Sequence, residues 1–373
     1  MPQLLIALLS AALVLSCGGQ PRETSPGQIP IREYPPVPAE QRAASRILLE
    51  EDLVLEDDET TLEHAFYYIS GLDVDARGNI YALDAGAYEV RVFAHDGSHL
   101  FSFGRQGQGP GEFEQPRAIA LLKDQIAVLA GPRKLSIWSR TGQHENDYAL
   151  DDTFMLAFGI DRNAFVGIVA DGYGNPRLWP FAVATVSSVG RELARFARTT
   201  TVRATPTTGP IPRVVRPLWA VSRGGAVYVT SAHEYEVAAY SADGTPAWTI
   251  RVDQPPRTVT AEDIDRAMEI ARRRQPGVGR ADFDEWPERF PALSYIAVDG
   301  HGHLYVYPFI WRGDVRTERP VDVYSPEGEW IFSAMIKDYL WWIGWDNYLY
   351  AFGEHPENGE SSVFRFRIVE EPF

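Results

Sequence analysis

The sequence predicts an all-β chain: a six-bladed β-propeller of four-stranded antiparallel blades, its ring closed by an N-terminal strand, with one helical insertion between blades four and five. Three observations predict it. First, Ile69–Phe113 divides into four short runs, GLDVD, NIYALD, VRVFA and SHLFSFG, each apolar, β-branched or aromatic. Gly, Asn or Asp falls at every break, which is the pattern of strands joined by tight hairpins. Second, the turn His95-Asp96-Gly97 returns as Arg140-Thr141-Gly142, Ser188-Val189-Gly190, Ala242-Asp243-Gly244 and Pro326-Glu327-Gly328. These glycines lie 45, 48, 54 and 84 residues apart. A period of about 40–50 residues with four strands per unit marks a propeller. Third, the final unit stops one strand short, and Arg46–Leu55 at the other end of the chain supplies a candidate for the missing strand. Pairing the two would leave no free edge there.

The elements follow in order. MPQLLIALLSAALVLSC reads as a signal peptide over residues 1–16, with an apolar run from Leu4 to Leu15 too short to span a bilayer. Val14-Leu15-Ser16-Cys17 resembles a bacterial lipobox, which implies that Cys17 is acylated and becomes the new N-terminus. Cys17 is the only cysteine, so no intrachain disulfide can form. Gly18-Gly19 follow, which by the bacterial sorting pattern points to the periplasmic face of the outer membrane. Residues 17–44 are rich in Pro, Gly, Glu and Gln and read as a flexible tether. The propeller then occupies 45–373. Its first unit starts near Ile69, and the others start near Arg117, Thr153, Leu218, Leu293 and Tyr339. The helical insertion spans about 253–291. There Thr260 caps a helix, Asp263 stands in its first turn, and Ile264, Ala267, Met268 and Ala271 form an apolar stripe. Arg272-Arg273-Arg274 close it, and Pro276-Gly277 stop it.

Composition bounds the partners. With 45% apolar and 23% charged residues the chain is globular, and 27 prolines with 31 glycines suit a turn-rich fold. A formal net charge of −16 without a basic stripe excludes nucleic-acid phosphate as a partner. Nothing in the sequence requires an oligomer, so a monomer is expected.

The first unit carries D-A-R-G-N-I-Y-A-L-D, then R-V-F-x-x-D-G, then F-G-x-x-G-x-G-P-G-E-F-x-x-P. These motifs resemble an NHL repeat. The chain from about Ile47 to Phe373 is similar to bacterial lipoproteins described simply as six-bladed β-propellers. That resemblance implies a fold and a binding role, and no single defined reaction.

Propeller topology sorts the loops. Connections from strand four to the next strand one, and from strand two to strand three, share one face. On that face fall Gly104–Pro116, Thr199–Pro217 and the insertion, together with Ala85–Glu89, Gly172–Trp179, His233–Glu236, Trp311–Pro320 and His355–Glu360. The opposite face receives only tight turns such as Ala76-Arg77-Gly78. Binding groups belong on elaborated loops over a rigid scaffold. The candidate binding residues on the loop-rich face are Arg105, Arg117, Arg133, Trp179, Trp219, Tyr235, Trp286, Trp311, Arg312 and Trp341, with Tyr173 and Arg177 beside them. Arginine and large aromatics dominate binding hot spots and stack on sugars or peptides.

Some propellers of this shape are lactonases, lyases resembling streptogramin lyase, or amidating lyases that use a metal or histidines on this face. A metal would need carboxylates or imidazoles converging on the channel mouth. The starts of the predicted first strands (Ser70-Gly71, Arg117-Ala118, Phe154-Met155, Leu218-Trp219, Ser294-Tyr295 and Leu340-Trp341) contain no Asp, Glu or His. Asp73, Asp75, Asp161, Asp299 and Asp346 fall further along, where aspartate serves tight turns. No metal-spaced histidine pair, G-x-S-x-G elbow or P-loop is present. The expectation is therefore a lipid-anchored envelope protein without cofactor or metal. It would bind a protein, peptide or glycan through the loop-rich face, without catalysis. The alternatives are a propeller hydrolase or lyase working through His233, His355 and arginine, and a purely structural envelope component.

Overall fold

The computed structural model describes residues 29–55, 66–131, 133–151, 153–160, 164–170, 178–202, 218–274, 277, 279, 287–311, 318–337, 342–345, 347–354 and 359–370. Two strands and a short helix precede the repeats: β1 (Ile31–Tyr34), α1 (Ala39–Ala43) and β2 (Arg46–Leu55). Blade one is β3 (Ile69–Val74), β4 (Ile80–Asp84), β5 (Glu89–Phe93) and β6 (His99–Phe103). Blade two is β7 (Ala118–Leu121), β8 (Gln125–Gly131), β9 (Lys134–Ser139) and β10 (His144–Ala149). Blade three is β11 (Thr153–Ile160), β12 (Ala164–Ala170), β13 (Leu178–Ser187) and β14 (Glu192–Val202). Blade four is β15 (Leu218–Val221), β16 (Ala226–Thr230), β17 (Glu236–Ser241) and β18 (Pro246–Val252), followed by α2 (Ala261–Arg274). Blade five is β19 (Leu293–Val298), β20 (Leu304–Pro308), β21 (Glu318–Tyr324) and β22 (Trp330–Lys337). Blade six contributes β23 (Trp342–Trp345), β24 (Tyr348–Glu354) and β25 (Ser361–Glu370). Within each blade consecutive strands pair antiparallel.

The fourth strand of blade six is β2. It runs antiparallel to β25 from Ile47 opposite Glu370 to Leu55 opposite Val363. Its first two residues also pair in parallel with Met335 and Ile336 of β22, which joins blades five and six into one eight-stranded sheet.

A meander whose two faces are both covered by neighbours needs apolar residues on both, and β4 and β7 are buried at every position. The apolar core is accordingly divided into wedges, one at each blade interface. Leu83, Val90, Phe113 and Val128 fill the wedge between blades one and two, and Leu135, Phe154, Phe165 and Ala184 the next. Val166, Phe196, Trp219 and Val227 lie between blades three and four, and Tyr228, Ile250, Leu293 and Tyr324 between four and five. Tyr305, Val323, Leu349 and Phe366 join five to six. Leu55, Leu72, Ile80, Tyr350 and Val363 join six back to one.

The repeated glycines follow from these seams. Gly97, Gly142, Gly190, Gly244 and Gly328 all have φ between 76° and 90°, the left-handed region that their hairpins require. Each also lies under the outermost strand of the preceding blade. A Cβ on Gly142 would meet Phe101 at 3.0 Å, on Gly244 Ala194 at 3.1 Å, and on Gly328 Trp248 at 2.9 Å. On Gly190 it would meet Leu150, just past β10, at 3.4 Å. On Gly97 it would meet Leu53 of β2 at 3.0 Å, so β2 stands to blade one as each other fourth strand stands to its neighbour.

Part of the segment assigned to the tether is structured. Residues 31–34 form β1, a fifth strand parallel to β18 on the edge of blade four. In α1 the Arg42 guanidinium is buried and bonds both carboxylate oxygens of Asp322, at 2.9 and 2.7 Å. Composition misleads here because β1 takes its hydrogen bonds from β18, more than two hundred residues away, and not from its own neighbours. Cys17 and the remainder of the assigned tether before Ile29 lie outside the described residues. No described helix is long and apolar enough to cross a membrane.

Candidate functional site

The loop-rich rim begins with the connector from β6 to β7. Phe113 is fully buried in the wedge between blades one and two, and Gly104 (φ 95°) lies against its ring, where a Cβ would come within 2.4 Å. Glu112 folds back to accept from the Gly109 N–H (2.8 Å) and from Arg105 Nε (2.9 Å), and these bonds hold its carboxyl below the usual range. Lys134 Nζ donates to the carbonyls of Gly109 and Glu112, and Asp147 accepts from the Gly111 N–H. The glycine-rich motif is thus a connector stitched to blade two. Arg105 is exposed but ion-paired with Glu112. Arg117 donates to Gln115, and Arg133 donates to the Leu150 carbonyl at 2.8 Å.

Beside this connector, blade one presents a feature that the sequence reading missed. Tyr67 and Tyr68 are 76% and 64% exposed, the two most exposed large hydrophobic residues among those described. Their backbone is pinned by the buried Asp84, at the end of β4. Its carboxylate accepts from the N–H groups of Tyr67, Tyr68, Gly86 and Ala87, all at 2.9–3.0 Å. The Ala85 N–H closes the arrangement on the Tyr68 carbonyl. Two exposed rings on a backbone this well held are presented with little ordering left to undergo, which favours binding. The available signal was an aspartate ending an apolar strand, with an aromatic pair immediately before the first strand.

Across the rim stands the insertion. The Thr260–Asp263 capping box forms as expected: the Thr260 N–H donates to Asp263 at 2.8 Å and the Asp263 N–H to Thr260 Oγ1 at 3.3 Å. Arg257 adds two hydrogen bonds to the Asp263 carboxylate, which lower its pKa to about 2, and its guanidinium lies 4.4 Å from the centre of the Phe290 ring. Ala267 packs on Phe290 and Trp311, with Val259, Ile264 and Phe309 around them. A bridge between Thr258 and Arg289 closes the neck.

Three aromatic candidates belong to the interior. Trp219 is buried between blades three and four, and Trp311 lies beneath the insertion, as the helix stripe requires. Tyr235 is buried between blades four and five, its hydroxyl donating to Asp322 at 2.6 Å. Burial, the neighbouring Tyr324 and that carboxylate raise its pKa well above the ordinary tyrosine value. A macromolecule docking on the rim does not reach these rings. Trp179 pairs with Thr201 near the start of β13, and its side chain lies outside the described residues. So do Tyr173, Arg177, Trp286, Arg312, Trp341 and His355.

At the plain end, Asp75 and Asp299 serve their turns as expected, accepting N–H bonds from Arg77 and Asn79, and from His301 and His303. Asp73 departs from that reading. It accepts from the Leu121 N–H of blade two at 2.7 Å and is ion-paired at 3.3 Å with Arg223, from a turn of blade four. Burial pushes its carboxyl upward, against the pull of Arg223. One side chain therefore links blades one and four at the plain end. Asp161 and Asp346 lie outside the described residues. Among the described residues no three His, Cys, Asp or Glu side chains converge as metal ligands.

A family model, DUF5128, described as a 6-bladed beta-propeller, matches residues 58–208. The fold is a six-bladed β-propeller. Two crystal structures resemble it along nearly their whole length. One is of a protein proposed to be exported, from Bacteroides fragilis NCTC 9343: 11% identity, 91% of this chain, 100% of that chain, TM-score 0.53. The other is a member of the duf4221 family from Bacteroides vulgatus: 10% identity, 89% of this chain, 100% of that chain, TM-score 0.52. A virginiamycin B lyase from Staphylococcus aureus resembles it more loosely, at 10% identity over 87% of this chain and 100% of that chain, with a TM-score of 0.41. At these identities the likeness concerns the fold. No curated protein matches the sequence.

Proposed function

We propose that this propeller is a cell-envelope lipoprotein, acylated at Cys17, whose loop-rich rim binds a protein, peptide or glycan without catalysis. The observation that carries the binding role is the pinned, exposed pair Tyr67–Tyr68 on the same rim as the glycine connector and the helical insertion. The leader-like residues 1–16 and the lipobox-like Val14–Cys17 support the envelope location. The NHL-like motifs of the first unit support the reading of the repeats as a scaffold. Phe113 and Glu112 of that motif are committed to packing and to bracing the connector.

The soluble Gly18–Phe373 fragment, immobilised and exposed to envelope extract or to defined peptides and glycans, tests the reading. Capture is expected to be lost in Tyr67→Ala/Tyr68→Ala and retained in Leu100→Ala, with melting temperatures unchanged in both. Capture that survives the tyrosine double variant would remove the assignment of the rim.

A further inference from the structure

Residues 29–45 lie along the outer strands of blades four and five, yet they are bonded unlike the rest of the ring. Only Arg42 among them is buried. Ile29 and Ile31 are 44% and 36% exposed, and of the whole segment only Tyr34 packs on the margin of the wedge between the two blades. Polar contacts hold the segment instead. Thr249 and Asp253 donate their N–H groups to the carbonyls of Pro30 and Tyr34, and Met335 donates to the Ser45 carbonyl. The Tyr34 hydroxyl donates to the Gly328 carbonyl at 3.0 Å and accepts from the Trp330 N–H at 3.2 Å. Arg32 Nε donates to Glu329 at 3.0 Å, with its guanidinium 5.9 Å from the centre of the Trp248 ring. Strand addition with a few anchoring side chains, and little apolar burial, is how extended peptides are recognised.

The receptor for Arg42 is built by the ring alone. Asp322 of β21 is fully buried, and its Oδ2 accepts from the Tyr235 hydroxyl of blade four at 2.6 Å. The Tyr324 hydroxyl donates in turn to that of Tyr235 at 3.3 Å, and both tyrosines are 1% exposed. This relay fixes the carboxylate before any guanidinium arrives, and Arg42 then takes both of its oxygens. A buried carboxylate is costly without its cation, so the pocket strongly favours an arginine that fills it. Between the two anchors, Tyr34 and Arg42, stand Pro35, Pro36 and Pro38. Their fixed φ angles preset the spacing at a low cost in ordering.

We infer that the seam between blades four and five is a groove for an extended peptide, which the chain's own residues 30–44 occupy as an exchangeable strap. Its occupant pairs in parallel with β18, sets a tyrosine on Tyr324 and Gly328, and delivers an arginine to Asp322 eight positions further on. A partner segment of that chemistry displaces the strap and takes the same bonds. The groove is separate from the Tyr67–Tyr68 rim and does not depend on acylation of Cys17.

The test uses the full chain and a fluorescent synthetic peptide of residues 29–45, with fluorescence anisotropy as the readout. The full chain carrying Arg42→Ala, whose own strap lacks its anchor, should take up the peptide. Arg42→Ala in the peptide should weaken that uptake by roughly thirtyfold or more. The unsubstituted chain should take up the peptide at a rate set by departure of its strap, independent of peptide concentration. Arg42→Lys in the chain, which leaves a cation at Asp322 without the two-pronged fit, serves the same measurement if Arg42→Ala does not fold. A folded Arg42→Ala or Arg42→Lys chain that takes up no peptide overturns the inference, as does uptake indifferent to the peptide's arginine. Failure of both variants to fold overturns it too, because the strap is then a fixed part of the ring.

Discussion

Two connections fill the same topological slot, from an outermost strand to the next innermost one, and they are built by opposite means. The Gly104–Pro116 connector answers its own polar groups: Glu112 turns back on Gly109 and Arg105, and Phe113 sinks between two blades. The insertion after blade four closes its own neck and rests an amphipathic helix on a small aromatic base, Phe290 and Trp311, apart from the six wedges. A change in the connector therefore acts on a blade interface. A change in the insertion acts on a unit that can loosen while the ring stays whole.

The largest expected effect is on the insertion's base. Trp311→Ala removes a buried ring and should cost that unit about 3–5 kcal/mol. It should appear as fast proteolysis near residues 275–286, with the main unfolding transition little moved. Loss of the whole transition would mean that the insertion is part of the ring's cooperative unit. Next comes Gly104→Ala in the connector, where a positive φ and a 2.4 Å approach to Phe113 combine. Roughly 2–4 kcal/mol of global stability should go, read by denaturant unfolding. Gly277→Ala sharpens the contrast, because its φ is also positive (94°) but nothing lies within 4 Å of the added methyl. It should cost only about 1–2 kcal/mol, confined to the insertion.

Arg257→Ala is a smaller and pH-dependent perturbation. Arg257 holds the Asp263 carboxyl at about 2, so the pair stabilises the cap above the ordinary carboxyl range, near pH 4. That contribution is lost as pH falls through about 2. Without Arg257 the loss should move up towards pH 4, which a carboxyl NMR titration would show. At neutral pH the cost should stay below about 1 kcal/mol, since Arg257 is half-exposed. Glu112→Gln should have the smallest effect. The amide oxygen can still accept from Gly109, only the exposed pairing with Arg105 weakens, and the melting temperature should barely move.

Much of the fold was legible because its determinants are local. Hairpin turns need glycine at positive φ, and a strand buried on both faces needs a continuous apolar run, so Gly97, Gly142, Gly190, Gly244 and Gly328 marked the blades directly. Thr260 and Asp263 marked the helix start for the same reason. The rim was less legible, because an aromatic side chain can serve a seam or a ligand with the same composition around it. Trp219 and Tyr235 serve seams, whereas Tyr67 and Tyr68, which the pattern did not single out, are left in solvent. Arg105 is another such case, since its partner Glu112 lies seven residues away inside a loop whose shape no periodicity reveals.

The amino-acid order alone marked the repeated hairpin turns from which six blades are counted, and the helix with its cap, through interactions spanning a few residues. Only the tertiary structure decided that residues 31–34 join the edge of blade four, that Arg42 is buried on Asp322, and that Arg223 reaches across to Asp73. Those pairings unite residues from about 150 to 280 positions apart. Their free energy depends on burial and distance, which exist only once the ring has closed.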